Sequence, residues 1–304
     1  MESSTLALLE RIGDELDGGR ELQVFNGGLV LPSERAVAFE PLGREKHYEQ
    51  AERPRRPATE SWPGTRRRAR TAGRPPAPRP GPATGSWTAG DAAPVLGWGP
   101  AVYYREALST VGEAYPGARM WEQGEGFWLW AESTLLPGLH RAAVFLVGVS
   151  IARRTVRSWA FWQMSMGASW IGPRHTNFPD GSICAYDARD LTWVFGQSLV
   201  NLLDLYSVWA LRHLHLEVIG RWPGPQIATI PYEVVLEVGD TELCPCGTMR
   251  RYADCCKAAF SARNRIADAV DYCLTTAGGR RFPPAPVLGF VRGQGEAPSL
   301  RELI

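Results

Sequence analysis

The chain has 304 residues, of which 44% are hydrophobic, and this is enough to bury one core of ordinary domain size with accessory segments. The formal net charge is only +1, so no overall field draws the protein to nucleic acid or to a membrane surface. No window approaches the roughly 20 uninterrupted apolar residues of a membrane span, and the N-terminus lacks the basic start of a signal peptide. We therefore expect a cytoplasmic protein whose six cysteines are reduced.

Residues 1–44 predict a small N-terminal extension made of a helix and a hairpin. A short amphipathic helix ends at Gly18-Gly19, and its apolar face consists of Leu8, Leu9, Ile12 and Leu16. Two short apolar runs flank Asn26-Gly27-Gly28, which predicts a hairpin.

Residues 45–97 form a segment rich in Arg, Pro, Gly and Thr, with almost no aliphatic side chains up to Asp91. Such a composition cannot bury enough surface to offset the entropy of ordering, so we expect a disordered linker. The basic run Arg66–Arg70 could contact nucleic acid. Runs of this kind are more often solvated segments, and we therefore expect no nucleic-acid partner.

Residues 98–230 carry the pattern of an α+β domain in which an antiparallel meander is flanked by helices. The predicted elements are a helix at Tyr103–Tyr115, strands at Phe127–Leu136, Ala142–Ala152 and Val156–Met164, and a long helix at Gln197–Ile219. The short connections between the strands favour antiparallel pairing, and the continuous apolar middle run is expected to be the buried central strand. Gly220 is placed to cap the long helix.

Cys184 lies between the strands and the long helix, in the turn-rich segment Arg174–Trp193. A Pro-Asp-Gly turn signal precedes it, and His175 and Asn177 lie a few residues earlier. A cysteine in this setting can be an inert packing residue or a nucleophile.

The order of these features resembles the active-site segment of ubiquitin-conjugating enzymes, in which a His-Pro-Asn triplet precedes Gly-x-Ile-Cys. It is closer still to the bacterial relatives found in antiphage (CBASS-type) operons, and the order of helices and strands extends the resemblance over Trp98–Pro225. The resemblance implies that Cys184 carries an acyl group as a thioester, that Asn177 supports the loop and helps to stabilise the oxyanion, and that His175 is mainly structural. Thr176 stands where the family has Pro, and the interval from Asn177 to Cys184 is one residue shorter than in the eukaryotic enzymes.

The resemblance implies a ubiquitin-conjugating-like transferase that joins the C-terminus of a ubiquitin-like protein, or of a nucleotidyltransferase (CD-NTase), to a target amine. No glycine-rich phosphate loop is visible, so we expect an activating enzyme or a donor that is already activated. Two alternatives stay open. One is a catalytically inactive binding module for a ubiquitin-like partner, and the other is a cysteine hydrolase that uses Cys184 with His175.

Residues 240–260 contain a C-x-C-x8-C-C pattern formed by Cys244, Cys246, Cys255 and Cys256. Four thiolates held by a tight turn and an adjacent pair can complete a tetrahedral zinc site with no open position, which is typical of a structural metal. The pattern resembles the small zinc module (SEC-C type) at the C-terminus of the SecA translocase. We therefore predict one structural Zn²⁺ in this module.

Residues 261–304 are predicted to contain the end of a helix at Ala258–Leu274 and then a loose tail rich in Pro and Gly. The apolar stripe of this helix consists of Phe260, Ile266, Val270 and Cys273. On this pattern Cys273 is expected to be a small buried residue.

Overall fold

A five-stranded antiparallel sheet forms the centre of the fold, in a chain that mixes helices and strands. The computed structural model describes residues 3–20, 22–25, 28–30, 100–124, 126–133, 142–164, 167–186, 192–228, 230–276, 278 and 281–304. The linker predicted at 45–97 lies outside these residues. Among the helices in the described ranges, none is long and apolar enough to cross a membrane.

The elements before and within the sheet follow the predicted order, with one additional strand at each edge. They are α1 (Ser3–Asp17), β1 (Gln23–Phe25), β2 (Gly28–Val30), α2 (Pro100–Ala114), β3 (Arg119–Gln123), β4 (Gly126–Glu132), β5 (Ala143–Ser150), β6 (Thr155–Met164) and β7 (Gly167–Trp170). The hairpin β1–β2 is confirmed, and the large sheet has the order β3-β4-β5-β6-β7. The short edge strands β3 and β7 were missed because each has few apolar residues.

The elements after the sheet are α3 (Leu199–Ile219), α4 (Pro231–Glu237), α5 (Lys257–Ser261), α6 (Arg265–Thr275), α7 (Ala285–Val291) and α8 (Leu300–Leu303). Helix α3 matches the predicted long helix. Ser198 accepts a hydrogen bond from the Val200 amide at its N-terminus, and Gly220 caps its C-terminus at φ 82°.

Strand β5 is the buried central strand that its continuous apolar run predicts, with every residue from Ala143 to Ser150 buried. One face of the sheet packs against helices α1, α2 and α3 through a single apolar cluster. Phe145, Val147 and Val149 point into this cluster, whereas Leu146 belongs to a second cluster on the opposite face. A strand that is covered on both faces needs apolar side chains at both alternating positions, which explains the unbroken run.

The second face of the sheet is covered by the C-terminal tail, so the prediction of a loose tail is wrong. Val287 of α7 and Leu300 of α8 are buried against Trp128, Leu146 and Trp159. The indole nitrogen of Trp128 also donates to the Pro298 carbonyl at 2.9 Å. Trp128 of β4 and Trp159 of β6 have large apolar side chains on this face. The few apolar residues among the prolines and glycines of the tail bury them.

The close approach of α8 depends on a glycine in the central strand. A Cβ atom at Gly148 would lie 2.6 Å from the Ile304 side chain and 3.0 Å from the Trp128 ring. The absence of a side chain at this position therefore leaves room for the end of the tail.

The helix predicted at Ala258–Leu274 is divided, because Asn264 accepts hydrogen bonds from the amides of Ile266 and Ala267 and starts a new helix, α6. The prediction that Cys273 is buried is also wrong, since Cys273 is exposed. Helix α6 instead turns Asp268 and Tyr272 toward the rest of the protein. Arg263 pairs with the carboxylate of Asp268, which allows that residue to be buried.

We expect the Leu300→Ala variant to lose about 2–4 kcal/mol of unfolding free energy, because the leucine is buried between the tail and the sheet. Leu274→Ala is the matched control, since that leucine is 78% exposed and its truncation is expected to change stability by about 0.5 kcal/mol or less. Urea unfolding of both variants measures the difference. Equal midpoints for the two variants would show that the tail does not protect the sheet.

Candidate active-site loop and metal centre

The loop that carries Cys184 is a short, tightly bonded hairpin after β7. Thr176 and Ile183 form an isolated antiparallel bridge, and the Asn177 amide donates to the Ser182 carbonyl at 2.7 Å. The Cys184 amide donates to the His175 carbonyl at 3.1 Å. These bonds fix the backbone on both sides of the turn, so the position of Cys184 is defined by the loop itself.

The predicted Pro-Asp-Gly turn closes this hairpin and is held against the sheet. Gly181 has a φ of 64° and faces the Trp170 ring, where a Cβ atom would lie only 2.8 Å from the nearest ring carbon. The indole nitrogen of Trp159 donates to the Asp180 carbonyl at 2.9 Å. The Ile183 amide donates to the Ser158 carbonyl of β6 at 2.7 Å, so the loop lies along the edge of the strand layer.

The side chain of Asn177 forms hydrogen bonds within the Cys184 loop. Its side-chain nitrogen donates to the Ile183 carbonyl at 2.9 Å and to the Ser182 hydroxyl at 3.3 Å. Both hydrogens of the amide group are thereby directed to the residues just before Cys184. This geometry is that of a residue that shapes the loop.

The ring of His175 packs into the core, whereas its backbone belongs to the Cys184 loop. The ring lies 4.1 Å from the Trp222 ring. Burial, together with the charge of Arg174, lowers the pKa of His175 well below its usual value, so the ring is neutral. Its carbonyl accepts from the Trp209 indole at 2.9 Å as well as from Cys184. These contacts favour a structural role over that of a catalytic base.

Cys184 is exposed, and its charge interacts with Tyr186, Tyr206 and Arg281. Burial and the negative charge of Cys184 raise the pKa of Tyr186 to about 12. Burial also lowers the pKa of Arg281, and the negative charges of Glu233 and Cys184 oppose this. Arg281 is also paired with the carboxylates of Glu233 and Glu237.

The four cysteines of the C-x-C-x8-C-C pattern lie together. Their sulfur atoms are all within 4.8 Å of one another. The Cys246–Cys255 and Cys255–Cys256 sulfur distances are 3.5 Å and 3.7 Å. A tetrahedral ion with metal–sulfur bonds of about 2.3 Å requires sulfur separations of about 3.8 Å, so the group could bind a metal such as zinc.

The backbone around the cysteines forms the tight turn that the sequence predicts. Gly247 has a φ of 83° and donates to the Cys244 carbonyl at 3.2 Å, which turns the first cysteine pair inward. Burial opposes ionisation of Cys246, but hydrogen bonds from Thr248 lower its pKa to about 6. Arg250 donates to the Cys255 sulfur at 3.3 Å, and its positive charge suits a site with an excess of thiolate charge.

A buried ion pair connects the Cys184 loop with the cysteine hairpin. The Arg174 side chain is 7% exposed and the Glu242 side chain is 1% exposed. One guanidinium nitrogen of Arg174 donates to Glu242 Oε1 at 2.8 Å, and the other bonds Oε2. The sequence analysis did not predict this pair, because the partners are 68 residues apart and no local pattern links the Cys184 segment to the cysteine module.

The chain was compared with protein-family models, with curated proteins and with solved structures, and none of the three comparisons found a match. The site is therefore interpreted from its own geometry.

We expect the protein to lose stability as the pH falls below about 6.5, because buried histidines resist protonation in the folded state. Burial lowers the pKa of His213 to about 3, and the pKa values of His175 and His215 are lowered for the same reason. Below pH 6.5 the unfolded chain binds protons that the folded protein does not, so stability that is present above this pH is lost toward pH 3.

Replacement of His213 by Gln should reduce this loss by about 1.4 kcal/mol for each pH unit over that range, as measured by urea unfolding. Leu214→Ala, a buried neighbour without a titrating group, should lower stability but keep the wild-type pH dependence. An unchanged pH dependence in His213→Gln would contradict the assignment.

Proposed function

We propose that the protein is a cysteine-dependent acyl carrier and transferase resembling ubiquitin-conjugating enzymes, acting in bacterial antiphage defence in the cytoplasm. The observation that supports this most directly is the position of Cys184. Its exposed thiol follows a fixed loop between an antiparallel meander and a long buried helix. A helix, a meander, a cysteine loop and a helix occur in this order in the ubiquitin-conjugating fold.

In the proposed reaction, the Cys184 thiolate attacks the activated C-terminal carbonyl of a ubiquitin-like protein or a nucleotidyltransferase. A carbon–sulfur bond forms, and the activating group, supplied by a separate enzyme or already present on the donor, leaves. A target amine then attacks the thioester carbonyl. The carbon–sulfur bond breaks, Cys184 leaves as a thiolate, the nitrogen loses a proton to solvent and an amide remains.

The residues around Cys184 suit this chemistry because a thioester is already activated and needs no charge-paired triad. Asn177 holds the residues that precede the thiol. A neutral, buried His175 ring supports the loop and is not required as a base.

We further propose that the four cysteines bind one structural Zn²⁺. All four ligand positions would be occupied by sulfur, which leaves no open position for catalysis. The bound ion would hold the hairpin of residues 242–252 against the turn before α5, where Cys255 and Cys256 lie.

A binding module without acyl transfer is the second candidate, and one observation favours it. An apolar groove of about 580 Å³ lies between α4 and α6, next to the cysteine hairpin. Ile266 and Leu274 in this groove are each 78% exposed. Apolar surface of this kind is typical of sites that bind another protein.

The acyl-carrier proposal predicts a thiol-labile adduct on Cys184 when the chain is co-expressed with its operon neighbours. Intact mass spectrometry should show a species that collapses on addition of thiol. Cys184→Ala should abolish it, whereas Cys184→Ser and Cys184→Lys should give a durable ester and amide, because oxygen and nitrogen are poorer leaving groups than sulfur. Cys273→Ala, which removes another exposed cysteine, is the control and should keep the adduct.

If no thiol-labile adduct forms and Cys184→Ala leaves the biological activity of the operon unchanged, the transferase proposal fails. The binding module then becomes the better interpretation. Truncation of the groove by Ile266→Ala would be the first test of that alternative.

The metal proposal predicts about one zinc per chain by elemental analysis. A Cys244→Ser, Cys246→Ser double variant should lose the zinc and lower the melting temperature by on the order of 10 °C, because metal binding contributes directly to folding. Cys273→Ser is the control and should retain both properties. Full zinc content and an unchanged melting profile in the double variant would contradict a structural metal site.

A further inference from the structure

Glu242 is attached firmly to the cysteine hairpin. It precedes Cys244 by two residues, and its carbonyl accepts from the Tyr252 amide at 2.8 Å. The next residue forms the bridge Leu243–Arg251, and the Cys244 amide donates to the Arg250 carbonyl at 2.7 Å. The position of Glu242 therefore depends on closure of the hairpin, which a metal bound by the four cysteines would stabilise.

Among the described residues, the hydrogen-bond partners of the Glu242 carboxylate lie outside the hairpin. Besides Arg174, these are the Trp222 amide, which donates at 2.7 Å, and the Gln226 side chain, which donates at 3.2 Å. The Gln226 side chain also donates to the Leu243 carbonyl at 2.9 Å. A fully buried carboxylate with this set of donors is held in one place, and it holds its partners in turn.

Arg174 connects the Glu242 carboxylate to the Cys184 loop. It immediately precedes His175, whose carbonyl accepts the Cys184 amide. A displacement of Arg174 would therefore reach the Cys184 backbone through one peptide bond and one hydrogen bond.

A second connection reaches the same loop from the other side. Val234 of α4 and Val238, the residue that follows α4, pack in one cluster with Cys244 and Tyr252 of the hairpin. Glu233, also on α4, accepts from Arg281 at 2.7 Å. The Arg281 guanidinium lies 4.6 Å from the centre of the Phe178 ring, in the Cys184 loop.

We propose that Glu242 is a positioning residue that makes the geometry of the Cys184 loop depend on the metal centre. The metal-bound hairpin holds Glu242, Glu242 holds Arg174, and Arg174 fixes the loop. This inference rests on the proposed metal centre, and it does not require that Cys184 carries an acyl group. It assigns the cysteine hairpin a role in the reactive site in addition to its own stability.

The experiment uses the full chain with zinc bound, the same protein after chelation, and the protein after zinc is restored. Glu242→Gln keeps the size of the side chain but removes its charge. Asp240→Asn is the matched control, because it removes an acid two residues before Glu242 that is paired with the exposed Lys257. Zinc content is measured for every sample, so failure of the metal site is seen separately from failure of the coupling.

Two readouts report on the loop and not on activity. Hydrogen exchange of residues 171–186 is compared with that of β5, which reports global stability. Alkylation of Cys184 by iodoacetamide is followed by peptide mapping, which separates it from the hairpin cysteines and Cys273.

In the wild type, chelation should raise exchange in the loop by about tenfold while β5 is unchanged, since a segment that loses a buried charge contact opens locally. The alkylation rate of Cys184 should change with it, and restored zinc should reverse both effects. Zinc-bound Glu242→Gln should already show the loosened loop, and chelation should add little to it. Asp240→Asn should behave as the wild type.

The proposal is overturned if chelation of the wild type changes neither readout, or if Glu242→Gln responds to chelation as Asp240→Asn does. If Glu242→Gln raises hydrogen exchange in β5 as much as in the loop, the double variant Arg174→Gln, Glu242→Gln is used in its place. The double variant leaves no unpaired buried charge at this site. A wild-type response to chelation in the double variant overturns the proposal, and a lost response supports it.

Discussion

The buried ion pair between Arg174 and Glu242 is the interaction on which the arrangement of this protein depends. Two charges removed from water are stable only when each has a full set of partners, and breaking such a pair costs about 3–5 kcal/mol. Here the partners come from the loop after the sheet, the segment after α3 and the cysteine hairpin. The pair therefore has a favourable geometry only when all three segments are in place.

The same dependence on distant segments occurs on the other side of the sheet. Trp128 and Trp159 would be exposed on that face without residues from the last twenty positions of the chain, of which Val287 and Leu300 are buried there. The sheet thus supports the Cys184 loop on one edge and is itself stabilised by the C-terminal tail. The first and last parts of the described chain contribute to the same domain, with Asp17 of α1 bonded to Arg251 of the hairpin at 2.9 Å.

Cys184 differs from its surroundings because it is exposed, whereas the groups that hold it are mostly buried or hydrogen-bonded. The carbonyl of His175 and the amide of Asn177 fix the backbone next to the thiol without covering it. A nucleophile needs access to its substrate and a defined position, and a short bonded loop on a rigid sheet satisfies both requirements. This combination is the physical basis for interpreting Cys184 as a carrier.

Local patterns in the sequence determined much of what could be verified. The unbroken apolar run of β5, the cap at Gly220 and the spacing of the four cysteines each act over a few residues, so the central strand, the end of α3 and the clustered thiols followed from them. The Cys184 loop could also be identified from the sequence as a candidate site, because a turn signal and a lone cysteine are adjacent in the chain.

Other features were decided only by the tertiary structure, because their partners are distant in sequence. Apolar periodicity shows that a helix has an apolar face, but it does not show which residues pack against the rest of the protein. Cys273 of α6 was therefore expected to be buried, and it is exposed. A tail rich in proline and glycine has a weak local pattern, yet Leu300 is buried because tryptophans far earlier in the chain need a cover. The ion pair of Arg174 and Glu242 joins residues 68 positions apart, and the sequence around either residue does not indicate that the other is its partner. Only the folded chain brings together the charges that position the loop.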